Sequence, residues 1–108
     1  YYRSWQSGDV VTTETAATMA DGLATMTPTK DNVVAIRKLV DDMVLVAEDE
    51  LLDAMRWLAR AEQMVVEPAA AAPIAALLQS KNRWPGPIVA VITGKNLAPE
   101  LVGAVTSP

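Results

Sequence analysis

Histidine and cysteine are both missing from this 108-residue chain, and so is phenylalanine. Without cysteine there is no disulfide, no thiolate metal site and no cysteine nucleophile. Without histidine the commonest general base is gone, together with imidazole metal ligands and any Ser-His-Asp triad. Aromatic residues make up 5% while hydrophobic residues reach 51%, so the core must be aliphatic, built from Val, Leu, Ile, Met and Ala. Long apolar runs are lacking too. The longest, near Ala69–Leu78, contains Pro73 and falls well short of the roughly 20 residues that a bilayer span requires. Net charge is −4 and the Lys and Arg residues are scattered, which argues against a nucleic-acid surface. Neither nucleic acid nor membrane is expected as a partner. No signal peptide is visible, and the opening Tyr1-Tyr-Arg-Ser-Trp5 carries no start signal. The chain therefore reads as one domain, or part of one, cut from a longer polypeptide.

Among the features present, the most pointed is Ile88-Val-Ala-Val-Ile92 followed by Thr93-Gly-Lys-Asn96. A short apolar, β-branched run bounded by Trp84-Pro-Gly-Pro87 predicts a strand buried on both faces. In α/β sheets ligands bind beyond the carboxyl ends of strands, which places Thr93 to Asn96 where chemistry is usually found. A plain strand-to-loop transition would look the same. Met43–Ala47 predicts a second strand, and Met64–Val66 a brief apolar link.

Helices are expected between these runs. Asp31 is a plausible N-cap for a helix through Val40, with Val33, Ile36 and Val40 on one stripe and Arg37 and Lys38 near the end, where the dipole favours cations. Glu48, Asp49 and Glu50 open a helix to about Gln63. Leu51, Met55, Leu58 and Glu62 trace one row of it, and Leu52, Met55 and Ala59 the next. Ala47 stands where a capping hydroxyl would help, so a weakened start is expected. A further helix is expected over Ala69–Ser80, with its regular part beginning only at Pro73. Residues 1–30 read mostly as loop, with a short strand at Val10–Thr13 and a short helix around Thr15–Gly22. The tail, Leu97–Pro108, predicts one helical turn after Ala98-Pro-Glu100. Strands alternating with helices give an α/β class with parallel pairing. So few strands leave sheet edges open, which points to an incomplete domain.

With His and Cys gone, chemistry falls to carboxylates, hydroxyls, lysines and backbone amides. Asp21-Gly22 is either an ordinary turn or a place where backbone approaches a flat ligand. Glu67 either caps helix amides or faces a polar pocket. Glu48-Asp-Glu50 is best read as dipole partners of a helix start rather than metal ligands, and no metal site is expected. Met43, Met55 and Met64 read as core filler, and Trp57 and Trp84 as packing.

Taken together, Tyr2-Arg-Ser-Trp-Gln-Ser-Gly8, Ala20-Asp-Gly-Leu-Ala24, Val40-Asp-Asp42, Ala47-Glu-Asp-Glu50 with Ala54-Met55, Val65-Val-Glu-Pro68 and Thr93-Gly-Lys-Asn96 resemble the C-terminal half of serine/threonine dehydratases. These are fold type II pyridoxal-phosphate enzymes related to serine racemase and the tryptophan synthase β-subunit. The resemblance covers nearly the whole chain, in order. Each motif is weak alone and the series is specific.

The resemblance implies part of a three-layer, parallel-sheet domain in a cytoplasmic enzyme, a homo-oligomer with a small hydroxy-amino-acid substrate. It implies an α,β-elimination: the amino acid loses its α-proton and β-hydroxyl, and the released enamine hydrolyses to a 2-oxo acid and ammonia. It places Thr93 at the family's serine, whose hydroxyl faces the cofactor's pyridine nitrogen; a neutral hydroxyl tempers the electron sink. Gly22 matches the glycine lying against the cofactor, with Asp21 beside it. Glu67 matches a glutamate near the ring, and Gly94 and Asn96 belong to the loop after the hydroxyl.

Departures are Lys95 where a glycine is usual, Ala70 and Ala71 in place of an Ala-Gly step, and Pro73. The Schiff-base lysine, the phosphate loop and the cation site lie upstream in this family and have no counterpart here. An N-terminal remainder is therefore the implied partner, and the chain alone is expected to be inactive. The alternatives are a non-catalytic association module and a serine racemase-like relative.

Overall fold

The computed structural model describes residues 1–80 and 83–107. Among these, the chain forms five α-helices and no strand: α1 (Tyr2–Ser7), α2 (Lys30–Leu39), α3 (Glu48–Ala61), α4 (Pro68–Ser80) and α5 (Pro99–Thr106), with a 3₁₀ turn at Asp21–Leu23. Two compact units result, one of residues 1–18 and 22–45, the other of residues 19–21 and 46–108.

In the first unit α1 packs against α2. Residues 1–30 were expected to be mostly loop, and α1 is a correction. A helix this short does not persist on its own. Its last carbonyls are held from outside: Arg37 Nη1 donates to the carbonyls of Trp5 and Gln6, each at 2.8 Å. Gly8 ends the helix at φ +85°, a left-handed conformation that other residues adopt at a cost. The buried Ser4 hydroxyl accepts the Val11 N–H at 2.8 Å and reaches the Val11 carbonyl at 3.4 Å, so a side chain does there what a neighbouring strand would do. The expected strand at Val10–Thr13 is accordingly absent, and the expected helix at Thr15–Gly22 shrinks to the 3₁₀ turn. The N-cap of α2 is Thr29 rather than Asp31, which lies in the first turn. Val33 is buried on the predicted stripe, with Ile36 and Val40 half-buried.

The second unit holds the core. Helix α3 packs on α4 and α5, and Leu51, Ala54, Met55, Leu58, Val66, Ala70, Ala71, Ala75 and Val105 close together around it. Fully burying side chains the size of Met55, Leu51 or Leu58 contributes about 1.5–3 kcal/mol each. The alanines let α3 and α4 approach closely without losing rotamer freedom. Glu62, expected on the apolar row of α3, is its exposed C-cap, and Trp57, expected to pack, is 42% exposed. No side chain caps α3 at Ala47, but Glu50 Oε2 accepts the Ala47 N–H at 2.7 Å. That is half of a capping box.

Two more expectations change here. Helix α4 starts at Pro68 and runs through Pro73, because the Glu67 carbonyl already accepts from Ala70 and Ala71 at 3.1 and 3.2 Å and sets the helix upstream. The tail is not one turn but all of α5. Its final carbonyls receive Arg56 Nε at Ala104 and Arg60 Nη2 at Ser107, each at 3.0 Å. Pro108, the end of the expected tail, lies outside the described residues.

The strands expected at Met43–Ala47 and Ile88–Ile92 are not formed. The second run still keeps the alternation of a strand. Ala90 and Ile92 are half-buried, whereas Val89 is 88% and Val91 65% exposed. A strand's amides and carbonyls must be satisfied by a neighbour, and no strand pairing is formed among the described residues. What the described residues form is thus helical, in place of the α/β arrangement expected.

Candidate functional site

The loop Thr93-Gly-Lys-Asn96 follows the last apolar run, and it is fixed to the start of α4 by one residue, Glu67. The Glu67 N–H donates to the Gly94 carbonyl at 3.4 Å, and the Asn96 N–H donates to Glu67 Oε2 at 3.2 Å. The Leu97 N–H closes a tight turn onto the Lys95 carbonyl at 2.8 Å. Glu67 thus holds the loop by its main chain and its carboxylate at once. Of the two uses open to Glu67 in the sequence, capping or facing a pocket, the side chain takes a third: it accepts an amide from a distant loop, while its carbonyl starts α4.

Gly94 explains how the carboxylate fits. A Cβ built there would lie 2.5 Å from Glu67 Oε1 and 2.7 Å from Oε2, closer than atoms in contact can approach. Gly94 does not have a positive φ; among glycines those are Gly8 and Gly86. Space, not backbone freedom, favours glycine at this position, since a side chain there would have to push the Glu67 carboxylate aside. Lys95 departs from the family's glycine without strain, because Gln63, at φ 52°, is the one non-glycine among the described residues with a positive φ. Ala70 and Ala71, the other departures, are buried in the core of α4, where alanine favours the helix over glycine.

Thr93 is exposed, and its hydroxyl makes no hydrogen bond among the described residues. Asn96 enters the loop through its main-chain N–H. The sequence marks Asn96 by its side chain, whereas the geometry uses its backbone. Thr93, Gly94, Asn96 and Glu67 are therefore brought together. Asp21 and Gly22 lie on the 3₁₀ turn, with Asp21 in the second unit and Gly22 in the first. Just before that turn, Glu48 Oε2 accepts the Met19 N–H at 2.8 Å and Ala20 is buried in the core. Sequence reasoning missed this use of Glu48, which it assigned to the helix dipole alone. Among the described residues no group of three or more acidic residues is placed to hold a metal ion.

The first unit has an open depression of about 550 Å³ lined by Trp5, Gln6, Arg37, Val40 and Asp41. None of the candidate site residues read from the sequence lines it, although Trp5, Gln6, Val40 and Asp41 belong to the runs that carry the resemblance.

Residues 1–94 match the family of pyridoxal-phosphate dependent enzymes. The chain belongs to that family. Pyridoxal phosphate is accordingly the cofactor of its relatives. The chain is 38% identical over 96 residues to an L-threo-3-hydroxyaspartate ammonia-lyase of Pseudomonas sp., covering 88% of this chain and 30% of that protein. It is 37% identical over 109 residues to the catabolic L-threonine dehydratase of Escherichia coli K12, covering 95% of this chain and 32% of that protein. Among solved structures, a T.th. threonine deaminase superposes with a TM-score of 0.83 at 33% identity, over 89% of this chain and 35% of that one. A serine racemase of Dictyostelium discoideum superposes at 0.71 and 29% identity, over 90% and 31%. The chain spans about a third of the length of the relatives it matches.

In the loop held by Glu67, the group whose chemistry suits such a cofactor is the hydroxyl of Thr93. Thr93 offers a neutral hydroxyl without a protein partner among the described residues, free to pair with a ring nitrogen. The loop behind it is tied down by main-chain and carboxylate bonds, so the hydroxyl sits on a fixed support.

Proposed function

We propose that residues 1–108 form the C-terminal part of the large domain of a pyridoxal-phosphate dependent hydroxy-amino-acid dehydratase, completed by an N-terminal remainder. The reaction is an α,β-elimination that releases a 2-oxo acid and ammonia, in a cytoplasmic homo-oligomer. The observation that carries the reading is the similarity along 88% and 95% of the chain to proteins named as an ammonia-lyase and a dehydratase. In the complete enzyme, Met43–Ala47 and Ile88–Ile92 become strands of a parallel sheet. The exposed Val89 and Val91 support this, since both faces of such a strand are covered.

Pyridoxal phosphate supplies the electron sink for breaking the substrate's α-carbon–hydrogen bond. The residues of this chain provide its surroundings. The Thr93 hydroxyl would hold the ring nitrogen of the bound cofactor by a neutral hydrogen bond, a setting that would suit elimination over transamination. Gly22, lacking a side chain, lets the backbone come close to the ring, and Asp21 flanks it. Gly94, Asn96 and Glu67 complete the wall behind Thr93. The amine that anchors the cofactor belongs to the remainder, so the chain alone is inactive.

The test is 2-oxo acid release from L-serine, L-threonine and L-threo-3-hydroxyaspartate, with the chain alone and mixed with the N-terminal two thirds of the Escherichia coli relative. The expected result is no turnover alone and turnover on mixing, reduced when Thr93→Ala is used. Turnover unchanged by Thr93→Ala removes that hydroxyl from the site. The exposed apolar side chains at 89 and 91 favour a second reading, a non-catalytic association module. Stable association with no turnover on any substrate selects it.

A further inference from the structure

We infer that Glu67 is a positioning residue: it acts on the cofactor site through the Thr93 loop rather than by touching the ring. The inference rests on the proposed role of Thr93 and goes beyond it by saying what aims that hydroxyl.

Three observations converge on Glu67. Its carboxylate is committed to the Asn96 N–H at 3.2 Å. Its own N–H is committed to the Gly94 carbonyl at 3.4 Å. Its Oε1, Cδ and Oε2 fill the space in which a Gly94 side chain would stand, at 2.5, 2.6 and 2.7 Å from that Cβ position. Gly94, next to Thr93, and Asn96 are thereby held by one residue, the first by its main chain and the second by its side chain. The Glu67 main chain is anchored, because its carbonyl starts α4 and the neighbouring Val66 and Pro68 are buried. The support therefore runs from the core, through the first residue of α4, to the loop. A side chain at 94 would displace the Glu67 carboxylate from this place, so the two positions should behave as one unit.

This arrangement separates two roles that glutamate could serve. A carboxylate acting on the ring by its charge is lost on conversion to an amide. A carboxylate acting as a hydrogen-bond acceptor for Asn96 is largely replaced by glutamine, which keeps an oxygen of the same reach. Charged acceptors hold roughly twice as strongly as neutral ones, so the amide should retain about half of the restraint.

The experiment is amide hydrogen exchange, with the order parameter of the Thr93 methyl group measured by NMR, on the 108-residue chain without cofactor. Leaving the cofactor out lets the inference fail or stand apart from the proposed activity. Leu58, deep in α3, serves as the control for global opening. In Glu67→Ala, exchange at Asn96 is expected to rise about 10- to 100-fold while Leu58 is unchanged, and the Thr93 methyl group loosens. In Glu67→Gln, Asn96 exchange rises no more than about fivefold and Thr93 stays ordered. Gly94→Ala displaces the carboxylate and behaves like Glu67→Ala; added to Glu67→Ala it changes Asn96 exchange by less than about twofold. Should Glu67→Ala also release Leu58, the Glu67→Gln and Gly94→Ala variants decide by the same readouts. Unchanged Asn96 exchange in Glu67→Ala or Gly94→Ala overturns the inference. Equal loosening in Glu67→Gln and Glu67→Ala does so as well.

Discussion

Helix α3 and the run Ile88–Ile92 both turn apolar side chains to the core of the same unit, yet one is a finished element and the other is not. Helix α3 satisfies its amides within itself and needs neighbours only for its apolar stripe, which α4 and α5 cover. The run Ile88–Ile92 needs a partner for its backbone and covers for both faces. It receives a cover on one face only: Ile92 packs against the core, while Val89 and Val91 stand in the open. The lesson is that a helix can be completed by its own chain, whereas a sheet strand is completed by what lies beside it.

Substitutions can break or sharpen this contrast. The largest effect is expected on the finished side. Met55 is completely buried in α3, and Met55→Ala should destabilise the chain by about 2–5 kcal/mol, read from urea unfolding. Next comes the one weak point of the same helix. The N-cap Ala47 has extended backbone angles and no side chain to offer, so Ala47→Ser should stabilise by about 1 kcal/mol, seen as a higher urea midpoint. The unfinished side should hardly respond. Val89→Thr should shift stability by less than about 0.5 kcal/mol in the chain alone, given the exposure of that side chain. The same change should weaken association with the N-terminal part of a relative, measured by calorimetry. Equal binding by Val89→Thr and the unaltered chain would show that this face stays uncovered. Least of all should Asn96→Ser matter. The loop uses the Asn96 main-chain N–H, so its exchange rate should stay within about twofold.

What was legible in the sequence divides along the same line. Helices α2 and α3 announce themselves through apolar spacing and through acids at their starts, and α4 through its alanine run beside Pro68, because those signals are local. The core of α3 was readable at Leu51, Met55 and Leu58, and failed at Glu62, where the helix ends. Helix α1 was not readable, and of α5 only the first turn was. Each is short, and each depends on arginines far along the chain: Arg37 for α1, and Arg56 and Arg60 for α5. A scan for local caps finds none of these. At the candidate site, Thr93 and its loop stood out by their place after an apolar run. The link from Glu67 to Gly94 and Asn96 did not, since it joins two segments whose proximity only folding creates.

Ser4 offers a last consequence. One oxygen, sealed from solvent, stands in for a whole neighbouring strand opposite Val11. The span between these two residues is consequently a ruler of set length. Adding or deleting a residue there would slide Val11 out of reach and leave a hydroxyl stranded in a dry interior. Relatives should accommodate length changes beyond Val11, and not within that span.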